Sequence, residues 1–557
     1  MNLRAFLFDL ARTQRPTLPQ MKSLVDDLAE LGYNMMTINL EHRFDFPSRP
    51  GIAPPGSMTA AMARELVAYG AAHGVAVVGQ PNLIGHCEGI GATERYAHLS
   101  TDPWQQAPWG GYEQLNLQTP DGRDMAKAML MDTLDAFPGE YVHIGGDEVR
   151  RMADLFPAAP ERRVPAMLDQ FRYVLDLARG AGRQVMMWGD MPLHHEELMR
   201  ALPRDVIICD WRYGPAGSRE TLERYRREGF RVLAAPSTGA HAAFCTAPDH
   251  AAANIARMVG DARELALEGF LLTQWEAGFG GGFDLTWPWT AYAAEIAAGK
   301  PERTQDEFLA AFGAARYGLE GRDFARLHLL LSRDLTEAVK VDGVAPSRCG
   351  VTLRKALFRG ADPFPHLARP PGIPPNNHQQ VWEPSPFHAW LYLRPIMNGQ
   401  MIERFESIAR EAGALADSLE RSVRHRAGEL QSLLTLARAF GILVERVRIL
   451  DDAKVHYHAA AVAQGRDAPR FREGLDRCAA ALDRVRPGLR KLRAMVERLD
   501  SIRGLDPGEI EWLRIHETSL DAHLAALRGR GPGGDWLIEF GEFLRRPAHL
   551  TPRLTWR

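Results

Sequence analysis

Between residue 1 and about residue 300 the chain alternates short apolar runs with amphipathic stretches, and it does so eight times. The runs are AFLFDL (5–10), NMMTINL (34–40), GVAVVGQ (74–80), YVHIG (141–145), QVMMW (184–188), VIICDW (206–211), RVLAAP (231–236) and GFLLTQW (269–275). Each has strand length and a near-continuous apolar character, as strands buried on both faces require. Most are separated by helical patterns such as LPQMKSLVDDLAELG, MARELVAYGAAHG and VPAMLDQFRYVLDLARGAG, the last ending on glycine, a common helix stop. Eight strand–helix repeats over this length predict an α/β fold, a (β/α)8 TIM barrel. An open doubly wound sheet seldom needs eight parallel strands.

A second region follows. Residues 301–360 read as a helical extension, 361–386 as a proline-rich linker, and 387–557 as a mainly α-helical C-terminal domain, with Leu, Ala, Val and Ile at helical spacing between Arg and Glu. The helical part is expected to dock on the barrel, to form a homodimer, or both. The net charge of -3 implies no nucleic-acid partner. No stretch suggests a membrane span, and MNLRAFLFDLARTQRP is too short in apolar residues for a secretory signal. Five scattered cysteines without metal-ligand spacing read as reduced thiols in a cytoplasmic protein.

A barrel places its chemistry at the C-terminal ends of the strands. Those ends carry Glu41-His42-Arg43, Asn82 and His86, Asp147-Glu148, Trp188-Gly189-Asp190, Asp210-Trp211-Arg212-Tyr213 and Gln274-Trp275-Glu276. Tryptophan is rare, and Trp188, Trp211 and Trp275 form the kind of aromatic wall on which the apolar faces of a sugar pack. The adjacent acids in YVHIGGDEVR raise a geometric question. Neighbouring side chains in a strand point to opposite faces, so both acids reach one small group only if the backbone turns there. Gly145 and Gly146 permit such a turn. Two protein carboxylates that flank a glycosidic bond stand several ångströms apart, which adjacent residues do poorly. Adjacent acids suit a substrate that brings its own nucleophile, the amide oxygen of a 2-acetamido sugar. Glu148, the longer, then protonates the leaving oxygen, and Asp147 steadies the amide N–H. A close anion at Asp147 is expected to raise the pKa of Glu148.

HIGGDEV resembles the His-x-Gly-Gly-Asp-Glu motif of family 20 glycoside hydrolases, the β-N-acetylhexosaminidases. GQPNLIGHCEG is similar to the family's Pro-Gly-His loop, with Ile84 in place of the proline and His86 kept. RAFLFDLAR resembles its opening strand, and MMWGDM and LLTQWEAG resemble the strands carrying pocket tryptophans. The likeness is greatest to hexosaminidase D-like members. It implies a retaining exo-hydrolase that releases terminal β-linked N-acetylgalactosamine or N-acetylglucosamine through an oxazolinium intermediate, with no cofactor and no metal. It implies catalysis by Asp147 and Glu148 and a substrate-binding set of Arg4, His86, Trp188, Asp190, Trp211, Tyr213, Trp275 and Glu276. Arg4 would hold sugar hydroxyls, and Tyr213 would replace the acetamide-binding tyrosine that STGAHAAF lacks. Ala277 stands where much of the family has an acid, which leaves gluco or galacto preference open, with a lean to galacto. Three rivals remain: a catalytically inactive glycan-binding barrel, a metal-dependent hydrolase, and a diguanylate cyclase. The last shares GGDE but not the phenylalanine that follows, for which this chain has Val149.

Overall fold

A computed structural model describes residues 1–335 and 399–503, apart from 12–15, 54–55, 88–89, 91–92, 94, 102–113, 240–247, 276–282 and 301–302, together with scattered positions between 517 and 529. The proline-rich linker expected at 361–386 lies outside the described residues.

All eight expected strands form: β1 (Leu3–Asp9), β2 (Met35–Asn39), β3 (Ala76–Gln80), β4 (Tyr141–His143), β5 (Gln184–Trp188), β6 (Ile207–Trp211), β7 (Arg231–Ala235) and β8 (Gly269–Gln274). They pair in the order β3-β2-β1-β8-β7-β6-β5-β4, and every ladder is parallel. The two ends of that order, β3 and β4, lie side by side and complete the ring. This is the (β/α)8 barrel, followed by helices. It removes the cyclase reading, whose domain is a smaller α+β unit.

Side chains along a strand alternate between faces, and the alternation divides the apolar residues into two cores. Leu3, Ala5 and Leu7 of β1 fill the barrel interior with Met35, Val78, Met186, Trp188, Ile207, Cys209, Leu233 and Leu271. Phe6 and Phe8 point outward, into the layer between sheet and helices. The helices that cover this layer start where their sequences allow. Helix Pro120–Ala136, for example, has proline in its first turn, and Thr119 caps it by accepting from Gly122 N at 3.1 Å.

The outer core does not stop at residue 300. It runs on through Phe308, Phe312 and Phe324 into residues 405–444 and 492–499, so these helices dock on the barrel. A separate apolar cluster holds Ile449–Leu489 and Leu520–Leu527 together. Ala427–Arg446 reaches a mean hydropathy of 1.2, long and apolar enough by composition to cross a membrane, which the sequence reading had not anticipated. Here Leu430, Leu433, Leu434, Leu436 and Phe440 are buried in the shared core.

An ion cluster ties the two regions. Asp27, buried on helix Leu18–Glu30, accepts from Arg316 Nη2 at 2.9 Å and from Arg426 Nη1 at 2.6 Å. Arg316 Nε donates to Glu429 at 2.9 Å, and its guanidinium lies 4.3 Å from the Trp287 ring. Removing one partner of a buried pair leaves charge uncompensated, which costs about 3–5 kcal/mol. Asp27→Ala should therefore lower the urea-unfolding free energy by about 3 kcal/mol. Glu65→Ala, which breaks the exposed pair with Lys22 at 2.7 Å, should cost less than about 1 kcal/mol. Equal effects would show that the cluster does not hold the helices to the barrel.

Candidate active site

The turn required by the adjacent acids is present. The chain leaves β4 at His143 and passes Gly145 at φ +72°, Gly146 at φ +87° and Glu148 at φ +48°. Left-handed backbone at a glutamate is strained, and such strain collects at functional sites. Among the described residues five non-glycines have positive φ, and three of them, Glu41, His86 and Glu148, stand at this end of the barrel. Gly145 is required on a second ground: a Cβ there would meet Asn82 Oδ1 at 2.6 Å. A Cβ on Gly85 would collide with the Asp147 carbonyl oxygen, so only glycine lets the His86 loop lie directly on the acidic turn. No helix begins at Asp147 or Glu148. The next one starts at Met152, so the acids are not serving as helix N-terminal residues.

Both carboxylates meet one imidazole. His86 Nε2 lies 3.5 Å from Asp147 Oδ2 and 3.1 Å from Glu148 Oε2. Asp147 is 9 % exposed, and its Oδ1 is buried with no hydrogen-bond partner among the described residues. The other oxygen of Glu148, Oε1, pairs with Arg150. The backbone of Glu148 is fixed by Asp190, whose Oδ2 accepts from Glu148 N at 2.9 Å and whose Oδ1 accepts from Trp211 Nε1 at 3.3 Å. Asp190 thus braces the acidic turn against the aromatic wall.

The wall is continuous. Trp188 is fully buried, its ring 4.5 Å from His143 and 5.8 Å from Trp275. Trp275 Nε1 donates to the Tyr213 hydroxyl at 2.6 Å, and Tyr213 stacks on Trp211 at 5.1 Å. His143 accepts from Gly145 N at 3.1 Å through Nδ1, and burial pushes it down to about 3, so it shapes the turn as a neutral ring. Trp287 and Trp289 are packed in the outer core. Trp104 and Trp109 lie outside the described residues.

Arg4 is a correction. It opens β1 beside Phe270 of β8, at the N-terminal end of the barrel, and Nε donates to the Gly32 carbonyl. Five residues separate it from Asp9, about 16 Å at roughly 3.3 Å per residue. It also has the parity of Phe6 and Phe8, so it faces outward. An arginine that reaches the mouth from this strand must follow it in sequence, as Arg12 and Arg15 do; both lie outside the described residues, as do Glu276 and Ala277.

Parity reveals residues that the sequence reading passed over. Asp9 continues the inward series Leu3, Ala5, Leu7, as Asn39 continues Met35 and Thr37. Asn39 Nδ2 donates to Asp9 Oδ1 at 2.9 Å, and Asn82 Nδ2 donates to Glu41 Oε1 and Asn39 Oδ1, each at 3.3 Å. Gln80 Nε2 donates to Asn39 Oδ1 at 3.4 Å. A buried polar floor thus lies beside the acids. Asp210 has the opposite parity and pairs with Thr221 on the helix side. Among the described residues no group of three or more His, Cys, Asp or Glu is placed to hold a metal ion.

Residues 2–258 match the family model for the glycosyl hydrolase family 20 catalytic domain. The barrel is thus similar to family 20 catalytic domains. Over 195 residues it is 29 % identical to the beta-N-acetylhexosaminidase of Cellulomonas fimi, covering 31 % of this chain and 37 % of that protein. Over 267 residues it is 25 % identical to the beta-hexosaminidase of Akkermansia muciniphila, covering 42 % and 52 %. The chain thus spans about half or less of the length of these relatives. The crystal structure of the beta-N-acetylhexosaminidase from Bacteroides fragilis superposes with a TM-score of 0.45 at 17 % identity, over 56 % of this chain and 69 % of that one.

Burial dominates the electrostatics of this site. It raises Asp147 from 3.8 to about 7, against the pull of His86 and with the help of Asp190 and Glu148. Burial raises Asp190 as well, and lifts Asp210 to about 6. Asp147, which the sequence reading had taken as the close anion, is thus itself hard to ionise. Between about pH 4 and 7 the folded protein keeps a proton on Asp147 that the unfolded chain releases. Its contribution to stability is full below pH 4, is lost as pH rises through that interval, and is flat above about 7. Asp147→Asn cannot ionise. Its unfolding free energy relative to wild type should climb by up to about 4 kcal/mol from pH 4 to 7 in a urea series. A constant difference would mean that Asp147 is ionised throughout.

Proposed function

We propose that the protein is a retaining exo-β-N-acetylhexosaminidase that releases terminal β-linked N-acetylgalactosamine or N-acetylglucosamine with the substrate's acetamido group as nucleophile. The observation that carries this reading is the convergence of two adjacent carboxylates on one imidazole, at 3.5 and 3.1 Å, beside a wall of Trp188, Trp211, Tyr213 and Trp275. The named relatives, a beta-N-acetylhexosaminidase and a beta-hexosaminidase, support the same class.

Glu148 gives its proton to the glycosidic oxygen while the acetamido oxygen attacks the anomeric carbon, and the leaving group departs as an alcohol. Charge grows on the amide nitrogen. Asp147 Oδ1, a buried acceptor with no protein donor among the described residues, takes the N–H. A carboxylate that is expensive to ionise in the empty site gains most when a positive charge arises next to it. This interaction is stronger in the transition state than in the ground state, which is what acceleration requires. The Tyr213 hydroxyl, raised by burial and by both carboxylates, is in this reading the group that meets the acetamide. Water then opens the oxazolinium ring at the anomeric carbon, with Glu148 taking its proton, so the configuration is retained.

Aryl β-glycosides of the two sugars test the reading. With a 4-nitrophenyl leaving group, Glu148→Gln should lose about 10²–10⁴ in kcat, the usual share of general acid catalysis. With 2,4-dinitrophenyl, which leaves without protonation, its first step should be nearly unaffected. Asp147→Asn should lose on both leaving groups. Turnover retained by both variants would sink the mechanism, and wild-type turnover of neither sugar would sink the function.

A further inference from the structure

Beside Glu148, outside the aromatic wall, lies a cavity of about 470 Å³, a size ordinary for a small-molecule site at roughly 300–1,000 Å³. It is walled by the turn after β4, the helix Arg163–Gly180 and the segment after β5. Its apolar surface comes from Met152, Met167 and Met191. Its charged and titratable lining is one-sided: Arg150, Arg163, His194 and His195 against the single acid Asp190. Asp190 is already engaged by Glu148 N and Trp211 Nε1.

Two arginines give this lining a direction. Arg163 is held in place through Nε and Nη2, which donate to the Phe156 carbonyl at 3.1 and 3.0 Å. It has no carboxylate partner among the described residues. Arg150 pairs with Glu148 Oε1 from an exposed position. That pair favours ionised Glu148, whereas the first chemical step needs Glu148 protonated. A second anion in the cavity would draw Arg150 off Glu148 and fill the fork of Arg163.

We infer that this cavity receives the sugar on the leaving-group side and selects one that bears a carboxylate, a hexuronic acid, with Arg163 as its fixed receptor and Arg150 as the arm that moves from Glu148 to it. The inference rests on the hexosaminidase reading. It adds a specificity that the aromatic wall, which holds the acetamido sugar, does not contain.

The test compares a disaccharide of β-linked N-acetylhexosamine on glucuronic acid with its uncharged methyl ester. Wild type should cleave the acid with a kcat/KM about tenfold or more above the ester, the scale of a charge-assisted bidentate contact. Arg163→Gln should bring that ratio close to one while cleaving the ester and 4-nitrophenyl glycosides within about twofold of wild type. Calorimetric titration of Glu148→Gln with both disaccharides reads the same preference without turnover. Equal handling of acid and ester by wild type, or a preference that survives Arg163→Gln, overturns the inference. Failure of the hexosaminidase reading would show separately, as no release from aryl glycosides. In that case the titration still decides the cavity: tighter binding of the acid supports it, and equal binding refutes it.

Discussion

The structure is organised around the desolvation of a carboxylate. Asp147 is largely withdrawn from water, next to two further acids, and its buried oxygen Oδ1 has no protein donor among the described residues. Nothing in folding rewards that arrangement; an unpaired buried charge is among the costliest features a protein can carry. The surroundings make it tolerable. His86 supplies the nearest compensating charge, Asp190 fixes the neighbouring backbone, and three positive-φ residues keep both acids on one side of the chain. The strained glutamate and the close glycines make sense only together with the anion that they position.

The barrel explains why the site is where it is. In a parallel ring every strand ends on the same side, and alternation sends the last inward residue of each into one basin. Asp9, Asn39, Gln80, Trp188, Trp211 and Trp275 are such residues. The apolar interior below them excludes water, which is why the carboxylates above it are hard to ionise. It is also why dipoles and charges aimed into this basin act there with more force than in water.

Much of this was legible in the chain. The strands announce themselves because buried parallel strands are apolar throughout, and each was found to within two residues. The acidic pair stood out because two glycines precede it. What was missed has a common cause. Arg4 has the residue type and the motif position of a sugar ligand, but it opens β1 at the far end of the barrel and shares the outward face of Phe6 and Phe8. The polar floor of Asp9, Asn39 and Gln80 was overlooked because each looks like the ordinary polar end of an apolar run. Counting by two from Leu3 or Met35 would have put Asp9 and Asn39 inside. The cluster of Asp27 with Arg316 and Arg426 had no signal at all. Its members are 289 and 399 residues apart in sequence, and long-range pairing of charges leaves no local pattern.

That cluster bears on the site as well as on the fold. The wall ends at Trp275, the first residue after β8, and the chain next enters the described structure at Phe283–Thr286, ahead of the helix Trp287–Ala297. Asp284 there accepts from Ser432 of the long helix Ala427–Ala463 at 2.9 Å, in the buried core. The same helix begins beside Arg426 and Glu429, which join Asp27 and Arg316. One helix of the C-terminal region is therefore pinned to the first barrel helix at its start and to the segment behind the last tryptophan one turn later. An aromatic platform is useful only if it is stiff, because a ring that yields loses the alignment that makes a bound sugar reactive. On the inner side Trp275 is held by Tyr213. On the outer side Phe283–Thr286, the next described segment, is held by the helical region through Asp284, so the C-terminal helices brace the same end of the barrel.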